Sequence, residues 1–359
     1  MKVQVSAPGK LFLAGEYAVV EAGYPALVAA LDRYLTVTVE TSDKGRVYSS
    51  QQGLTVFWDR SDEDVVPLED DSYALIFSAM KAAEAYVRML DQRTVVFYSL
   101  SVSSQLDDRQ SGIKYGLGSS GAVTVATIKA VLLYYGLEVS AYRIFQLAAI
   151  AQLQVGMTGS FGDLAASSYG GLIAYHSLDR NWLAGLLDTC TLSEILAMPW
   201  KDVGIERLSL PTSLSLLIGW TGRAASTPAL VDQARQKGNQ TDKENSHREF
   251  LSNSKACLHR LIQACRQGDV ASFKEGISEN RKLLQVFSQE MEMVIETPAL
   301  TNLCQLAEEE GAVAKSSGAG GGDCGIAFVS QEHDMKKIYQ KWQEADIVPL
   351  ELTIADEIK

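Results

Sequence analysis

The alternation of hydrophobic and polar positions divides the chain into a β-rich beginning and a longer part in which strands and helices mix. Apolar residues with period two and many β-branched side chains predict the first strands, at residues 3–5, 26–30, 35–40 and 94–102. Apolar residues that recur every three or four positions predict core-packing helices at residues 72–90, 119–135 and 141–155. The beginning of the chain is therefore expected to form a sheet with helices packed against it.

The order of elements becomes mixed after the third predicted helix, and the pattern starts again beyond residue 188. A loop of small residues at 156–163 is followed by a predicted short helix, a glycine turn and a strand. Beyond residue 188, strands are predicted at 205–210, 214–220, 326–329 and 347–353, around three helical stretches within 241–311. We therefore predict an α+β protein of two domains, residues 1–188 and 189–359.

Composition restricts the classes of protein to which the chain can belong. Its 359 residues are 47% hydrophobic and 21% charged, which is typical of a globular protein with real cores. No run of eighteen apolar residues and no signal-peptide pattern occurs, and the five cysteines are scattered without a C-x-x-C pair. A cytoplasmic location is expected. The net charge of -12 disfavours binding to nucleic acid or to anionic membranes.

The stretch G-I-K-Y-G-L-G-S-S-G-A, residues 112–122, is the first candidate for chemistry. It precedes a predicted helix, so its backbone N–H groups would form an anion site at the positive end of the helix dipole. Ser119 and Ser120 could donate to phosphate or bind Mg²⁺, and Lys114 could add positive charge. The alternative is a tight turn in which Ser119 only caps the helix.

The spacing G-x-G-x-x-G in this stretch also fits a dinucleotide site, but its surroundings do not. A Rossmann site needs an apolar strand directly upstream, whereas residues 107–112 are polar. Glu138, the candidate ribose-binding acid, follows Gly136 and does not end a second strand. A Walker A loop is absent as well.

Two further stretches combine glycine with lysine. In A-P-G-K-L-F-L-A-G-E-Y, residues 7–17, Lys10 follows a predicted strand end and could reach into a cleft; alone, it would more often be a solvated surface charge. In K-S-S-G-A-G-G-G-D-C-G, residues 315–325, the glycines could pass close to phosphates, with the lysine and serines as donors. The alternative for this second stretch is a mobile surface turn.

Taken together and in this order, the three stretches resemble the signature motifs of the GHMP kinases, over nearly the whole chain. Two more stretches, G-W-T-G-R-A-A-S-T at 219–227 and G-S-F-G-D-L-A-A-S at 159–167, resemble the branch of that family that acts on phosphomevalonate. The resemblance implies a two-domain GHMP-kinase fold with the active site in the cleft between an N-terminal mixed α/β domain and a C-terminal ferredoxin-like α+β domain. It also implies transfer of the γ-phosphoryl group of ATP to (R)-5-phosphomevalonate.

The resemblance assigns roles to residues by motif. Lys10 and Asp163 are implied to be the catalytic pair, although an isolated aspartate at such a position more often caps a helix. The residues implied to bind ATP are Lys114, Gly116, Leu117, Gly118, Ser119, Ser120, Gly121 and Ala122. The residues expected to bind the acceptor are Lys10, Glu16, Tyr17, Ser160, Arg223, Ser226, Lys315, Ser317, Gly318, Ala319 and Gly320.

The implied cofactor is Mg²⁺, bound together with ATP. Related mevalonate kinases use a glutamate on the helix before the aspartate loop to bind the metal, and Gln152 stands at the corresponding place here. We therefore expect Mg²⁺ to rely on Ser119 or Ser120, the ATP phosphates and water.

The acceptor in this reaction is itself a phosphate, which changes what catalysis requires. A phosphomonoester with a second pKa near about 6 is already mostly dianionic at neutral pH, so proton abstraction matters less than gathering two polyanions. We therefore expect Lys10 to contribute more than Asp163, which would orient Lys10. The alternatives are mevalonate kinase or another GHMP small-molecule kinase, a non-catalytic nucleotide sensor and, remotely, an NAD-dependent dehydrogenase.

Overall fold

Two long antiparallel strands organise the first sheet of the protein. A computed structural model describes residues 1–68, 72–91, 95–108, 112–222, 240–330 and 335–355. Strand β1 (Lys2–Ala14) pairs along its length with β2 (Pro25–Thr41), and β6 and β7 share the opposite edge of β2. The remaining strands of this sheet are β3 (Gly45–Ser49), β4 (Leu54–Ser61), β5 (Asp64–Pro67), β6 (Tyr98–Ser104), β7 (Leu172–His176) and β8 (Gly204–Leu208). Their order is β5-β4-β3-β6-β2-β7-β8, and only β3 and β6 are parallel neighbours among the described pairs.

A central apolar helix packs on this sheet, beneath two others. Its buried residues surround the helix axis, so it can lie between the sheet and its neighbouring helices. The helices of this part are α1 (Ala74–Asp91), α2 (Ser119–Tyr134), α3 (Ala141–Gln154), α4 (Gly162–Tyr169), α5 (Arg180–Leu187) and α6 (Leu192–Ala197). The central one is α2, and its N-terminus faces the cleft described below.

The second sheet has four antiparallel strands in the order β10-β11-β9-β12. Its elements are β9 (Leu214–Trp220), α7 (Gln240–Gln267), α8 (Val270–Glu290), α9 (Pro298–Glu308), β10 (Val313–Ser316), β11 (Cys324–Ser330), α10 (Met335–Glu344) and β12 (Val348–Leu350). This strand order and the helix positions are those of a ferredoxin-like domain, as expected. The largest apolar core runs through both sheets and includes Val37, Val125, Ile218 and Phe328.

The strongly periodic elements agree with the sequence-based predictions, and four strands were not predicted. The predicted helices at 72–90, 119–135 and 141–155 are confirmed as α1, α2 and α3. Strands β3, β4, β5 and β10 were not predicted, because exposed apolar or buried polar positions weaken the pattern of each. The strands predicted at 26–30 and 35–40 are one continuous strand, β2.

The domain boundary at residue 188 stays a prediction. Strand β8, which lies beyond it, pairs with β7 and therefore belongs to the first sheet. None of the helices in the described ranges is both long and apolar enough to cross a membrane.

Candidate active site

A break in the register of strand β1 lies just before Lys10 and sets the position of that residue. The pairing of β1 with β2 shifts between Pro8 and Gly9, where proline has no N–H to donate to a regular ladder. The Ser167 hydroxyl of α4 donates to the Pro8 carbonyl over 2.8 Å and ties the strand to that helix. The prediction that a strand ends before Lys10 is wrong, because β1 continues to Ala14 and bends at the bulge.

Lys10 lies directly against the loop at residues 116–121, named the phosphate loop here. Its backbone N–H donates to the Leu117 carbonyl over 2.8 Å, and its Nζ donates to the Gly116 carbonyl over 3.2 Å. Gly9 allows this approach, because a Cβ there would lie 2.9 Å from the Leu117 carbonyl oxygen. The catalytic role expected of Lys10 stays a prediction.

The phosphate loop ends in the N-terminus of α2, with its first N–H groups open. The N-cap residue is Gly118, in the left-handed region with φ 77°, and no side chain of the described residues caps the helix. The alternative in which Ser119 caps the helix is therefore wrong. Ser119 and Ser120 are half-buried, and within the described ranges neither hydroxyl forms a hydrogen bond. The arrangement is that of an anion site at a helix N-terminus.

Asp163 connects the beginnings of two helices. It lies in the first turn of α4, and its carboxylate lies close to the backbone N–H groups of Leu164 and of Gly121 in the first turn of α2. A Cβ on Gly121 would lie 2.7 Å from the carboxylate oxygen Oδ2 of Asp163, so only glycine permits this contact. Burial raises the pKa of Asp163 above its usual range, while the Lys10 charge and the N–H donors act against that rise.

The C-terminal glycine loop, residues 316–323, is attached to the end of β1. The Lys315 ammonium lies 2.5 Å from the Glu16 carboxylate, and both side chains are buried. The Ser317 hydroxyl donates to the Phe12 carbonyl over 2.7 Å, and the Tyr17 hydroxyl donates to the Ala319 carbonyl. The alternative of a mobile surface turn fails at this end of the loop, because the lysine and Ser317 are both buried.

The far end of the glycine loop contacts the phosphate loop. A Cβ on Gly116 would lie 2.5 Å from Cγ of Asp323, and the Cys324 thiol donates to the Tyr115 carbonyl over 3.3 Å. The Tyr115 ring also packs edge-to-face on Trp220 of β9, with ring centroids 4.9 Å apart. Residues of both sheets therefore meet beside Lys10 and the N-terminus of α2.

The remaining predicted residues fall into three groups. Leu117 and Ala122 are buried and support the loop with their backbone, whereas Lys114 is exposed on its rim. Ser160 is half-buried near α4; its hydroxyl accepts the Gly162 N–H over 3.3 Å. Arg223 and Ser226 lie outside the described residues. The roles of all these residues in binding stay predictions.

Sequence reasoning missed the mutual pairing of Glu16 with Lys315 and the position of Asp323. The sequence presents a lysine beside a glycine run as a phosphate ligand, because lysine is normally exposed. Only the fold shows that Lys315 has a buried carboxylate partner far away in the chain. Asp323 carried a weak signal, since it interrupts a glycine run at a backbone position with φ 52°.

Oxygen donors suited to Mg²⁺ are found at the beginning of α2. Among the described residues, no group of three histidine, cysteine, aspartate or glutamate side chains forms a metal cluster. The Gln152 amide donates to the Ser120 carbonyl over 3.4 Å and to the Thr124 hydroxyl over 3.3 Å, so it supports α2. The Ser119 and Ser120 hydroxyls fit an ion that keeps much of its water and is held partly by phosphates.

The fold and the site define a GHMP kinase. The chain matches the family models described as "GHMP kinases N terminal domain" over residues 75–171 and "GHMP kinases C terminal" over residues 261–347. It belongs to the GHMP kinase family.

Individual proteins of known name or structure are similar to this chain over nearly its full length. The chain is 41% identical, over 98% of its own length and 96% of the other's, to a phosphomevalonate kinase of Streptomyces sp. (strain CL190). Its structure is similar to that of the Lin0012 protein from Listeria innocua, with a TM-score of 0.91 and 34% identity over 100% of this chain and 99% of the other. It is also similar to Streptococcus pneumoniae phosphomevalonate kinase in complex with phosphomevalonate and AMPPNP, with a TM-score of 0.84 and 32% identity over 98% and 99% of the two chains.

Proposed function

We propose that this protein is an enzyme that transfers the γ-phosphoryl group of ATP to (R)-5-phosphomevalonate, giving 5-diphosphomevalonate and ADP in isoprenoid biosynthesis. The similarity to phosphomevalonate kinases over nearly the full length supports this reaction. The observation that carries the proposal is the meeting of Lys10, the open N-terminus of α2 and the C-terminal glycine loop. These groups are cationic or N–H donors, as two polyanionic substrates require.

The reaction forms a bond between an oxygen of the acceptor phosphate and the γ-phosphorus of ATP. The bond between that phosphorus and the bridging oxygen of ADP breaks, and ADP leaves with the electron pair. At neutral pH the acceptor oxygen carries no proton to remove, so catalysis consists mainly of positioning and charge stabilisation. The open N–H groups at the start of α2 are suited to the ATP phosphates, and the Lys10 ammonium to the oxygens of the transferred group.

Magnesium fits this arrangement through the hydroxyls at the start of α2. Ser119 and Ser120 would hold the ion, and Gln152 would keep the helix turn beneath them in place. When bound, Mg²⁺ neutralises phosphate charge and orients the phosphoryl group.

On this proposal, Asp163 contributes to the reaction through its negative charge. In the described part of the chain the Lys10 ammonium bonds to the Gly116 carbonyl and makes no ion pair with Asp163. The carboxylate instead fixes the first turns of α2 and α4 and stabilises the nearby ammonium electrostatically. Lys10 is therefore expected to contribute more to the barrier than Asp163.

The cytoplasm is the proposed location. All five cysteines are free in the structure, and four of them are buried, as a protein of a reducing compartment permits.

Acceptor choice is the experiment that tests the proposal. Purified protein with Mg²⁺ and ATP is offered (R)-5-phosphomevalonate or mevalonate, and ADP release is followed together with the product by phosphorus NMR. We expect ADP and a diphosphate product with phosphomevalonate alone. Turnover of mevalonate with none of phosphomevalonate would make the protein a mevalonate kinase, and nucleotide binding without any turnover would make it a sensor.

A further inference from the structure

A buried ion pair joins the segment after β1 to strand β10. Glu16, just after β1, is 3% exposed, and Lys315, in β10, is fully buried. The Lys315 ammonium donates to Glu16 Oε1 over 2.5 Å and to the Ser316 carbonyl over 2.6 Å. The other carboxylate oxygen of Glu16, Oε2, is buried and has no hydrogen-bond partner among the described residues.

A buried ion pair of this kind is expected to add little to the free energy of unfolding. Removing two charges from water carries a large desolvation penalty, and a carboxylate oxygen left without a donor makes that penalty larger. Apolar side chains of similar volume are often at least as stabilising in the same place. The pair therefore calls for an explanation in the geometry that it imposes.

The geometry concerns the glycine loop at Gly318, Ala319 and Gly320. The Gly318 N–H points to Glu16 Oε1 at 3.4 Å, and the Ala319 carbonyl accepts the Tyr17 hydroxyl. Within the described ranges, the N–H groups of Ala319 and Gly320 have no acceptor in the protein. The pair thus holds two open N–H donors in a fixed position relative to the strand that carries Lys10.

The supports of this loop are separate from those of the ATP phosphate site. The described contacts of the phosphate loop include those with Lys10, Gln152, Asp163 and Asp323. Those of residues 318–320 run instead to Glu16, Tyr17 and Ile295, whose carbonyl oxygen lies closely against Gly320. A substitution that disturbs the contacts of one loop should therefore affect the binding of one substrate more than the binding of the other.

We propose that Glu16 and Lys315 are positioning residues for the acceptor: they hold the Ala319 and Gly320 N–H groups toward an anionic group of the acceptor. They set the affinity for the acceptor and leave the affinity for ATP unchanged. This inference rests on the proposed function. It differs from the sequence-based expectation that the Glu16 and Lys315 side chains contact the acceptor, because here the loop that they hold makes the contact.

The test measures KM for both substrates in three variants, Glu16→Gln, Lys315→Met and the double variant Glu16→Leu/Lys315→Met. We expect KM for phosphomevalonate to rise about tenfold or more in all three, with KM for ATP changed less than about twofold. The single variants should unfold at lower temperature, because each leaves a buried group unpaired. The double variant should recover the unfolding temperature and keep the acceptor defect.

Glu84→Gln is the matched control. Glu84 forms a buried pair with Arg60, with two contacts of 2.9 Å, and also accepts from the Tyr135 hydroxyl at the far end of α2. This variant should lower the unfolding temperature and leave KM for phosphomevalonate unchanged. A general loss of stability would therefore be distinguished from loss of positioning.

Three results would overturn the inference: equal rises of both KM values, an acceptor KM in the double variant equal to that of the wild type, or a double variant that does not fold. Each would make the pair a structural element without a specific link to the acceptor. Failure of the proposed function is a different result, because the wild-type protein would then not turn over phosphomevalonate at all.

Discussion

At the scale of single residues, the site depends on a carboxylate in an unusual environment. Asp163 is surrounded by the first turns of α2 and α4, and burial raises its pKa although Lys10 and several N–H donors favour its charged form. In a kinase with a hydroxyl acceptor, a raised pKa would suit a general base. With a phosphate acceptor no base is required, and we propose that the same carboxylate acts as a fixed negative charge near Lys10.

The pH dependence of the rate separates these two roles. As pH falls through about 6, the acceptor takes up a proton and becomes a poorer nucleophile, so kcat/KM should fall. Protonation of Asp163 would give an acid limb of the same sign, at a pH above the usual aspartate range. We expect Asp163→Asn to lower kcat/KM and to retain the acid limb in a profile measured from pH 5 to 8. Disappearance of that limb in the variant would identify Asp163 as the base.

At the scale of elements, the site is a contact between a bulged strand and the start of a helix. Gly118 has φ 77°, and a Cβ on it would lie 2.7 Å from Cγ of Lys10. The left-handed turn opens the first N–H groups of α2, and the missing side chain lets the lysine cross directly over them. Strand and helix thus place one ammonium and several N–H donors on the same side of the cleft.

Gly118→Ala tests this contact. The new methyl group must displace Lys10, so we expect kcat/KM to fall about a hundredfold, the scale seen when one well-placed donor is lost. Gly136→Ala is the matched control, because Gly136 has φ 75° just after α2 and open space around it. Both variants should lose about 1–2 kcal/mol of stability from the strained backbone, but only Gly118→Ala should lose activity. Equal activities in steady-state kinetics would contradict the proposed contact.

The elements also show how far the sequence alone leads. The anion site at the start of α2 could be predicted because glycine spacing and a following periodic helix are local signals, and Gly118 and Ser119 lie where those signals place them. The partner of Lys315 could not be predicted, because Glu16 belongs to the opposite end of the chain and no local pattern joins the two. The bulge at Pro8 was read as a strand end for a similar reason, since the pairing with β2 is long-range.

At the scale of the whole molecule, the two sheets share one core. The largest apolar cluster includes residues of both sheets, and the glycine loop and phosphate loop add contacts across the same boundary. The chain carries a net charge of -12, so attraction for anions must come from the local donors of the cleft. Because both sheets pack on one core, the donors of the cleft keep fixed positions relative to one another.

A shared core predicts cooperative unfolding. We expect a single transition in calorimetry, with calorimetric and van't Hoff enthalpies in agreement. Saturation with MgATP and phosphomevalonate should shift that transition upward as a whole, since ligand binding stabilises the folded state. Two separate transitions, of which ligands move only one, would show that the domains fold independently.

The central claim is that positive charge and N–H donors, more than proton abstraction, carry the reaction. The most direct measurement is the single-turnover rate of phosphoryl transfer to phosphomevalonate in Lys10→Met and Asp163→Asn, at saturating substrates and neutral pH. We predict a fall of about 10²–10³-fold, or roughly 3–4 kcal/mol of barrier, for Lys10→Met and a smaller fall for Asp163→Asn. A steeper loss in Asp163→Asn than in Lys10→Met would contradict the claim.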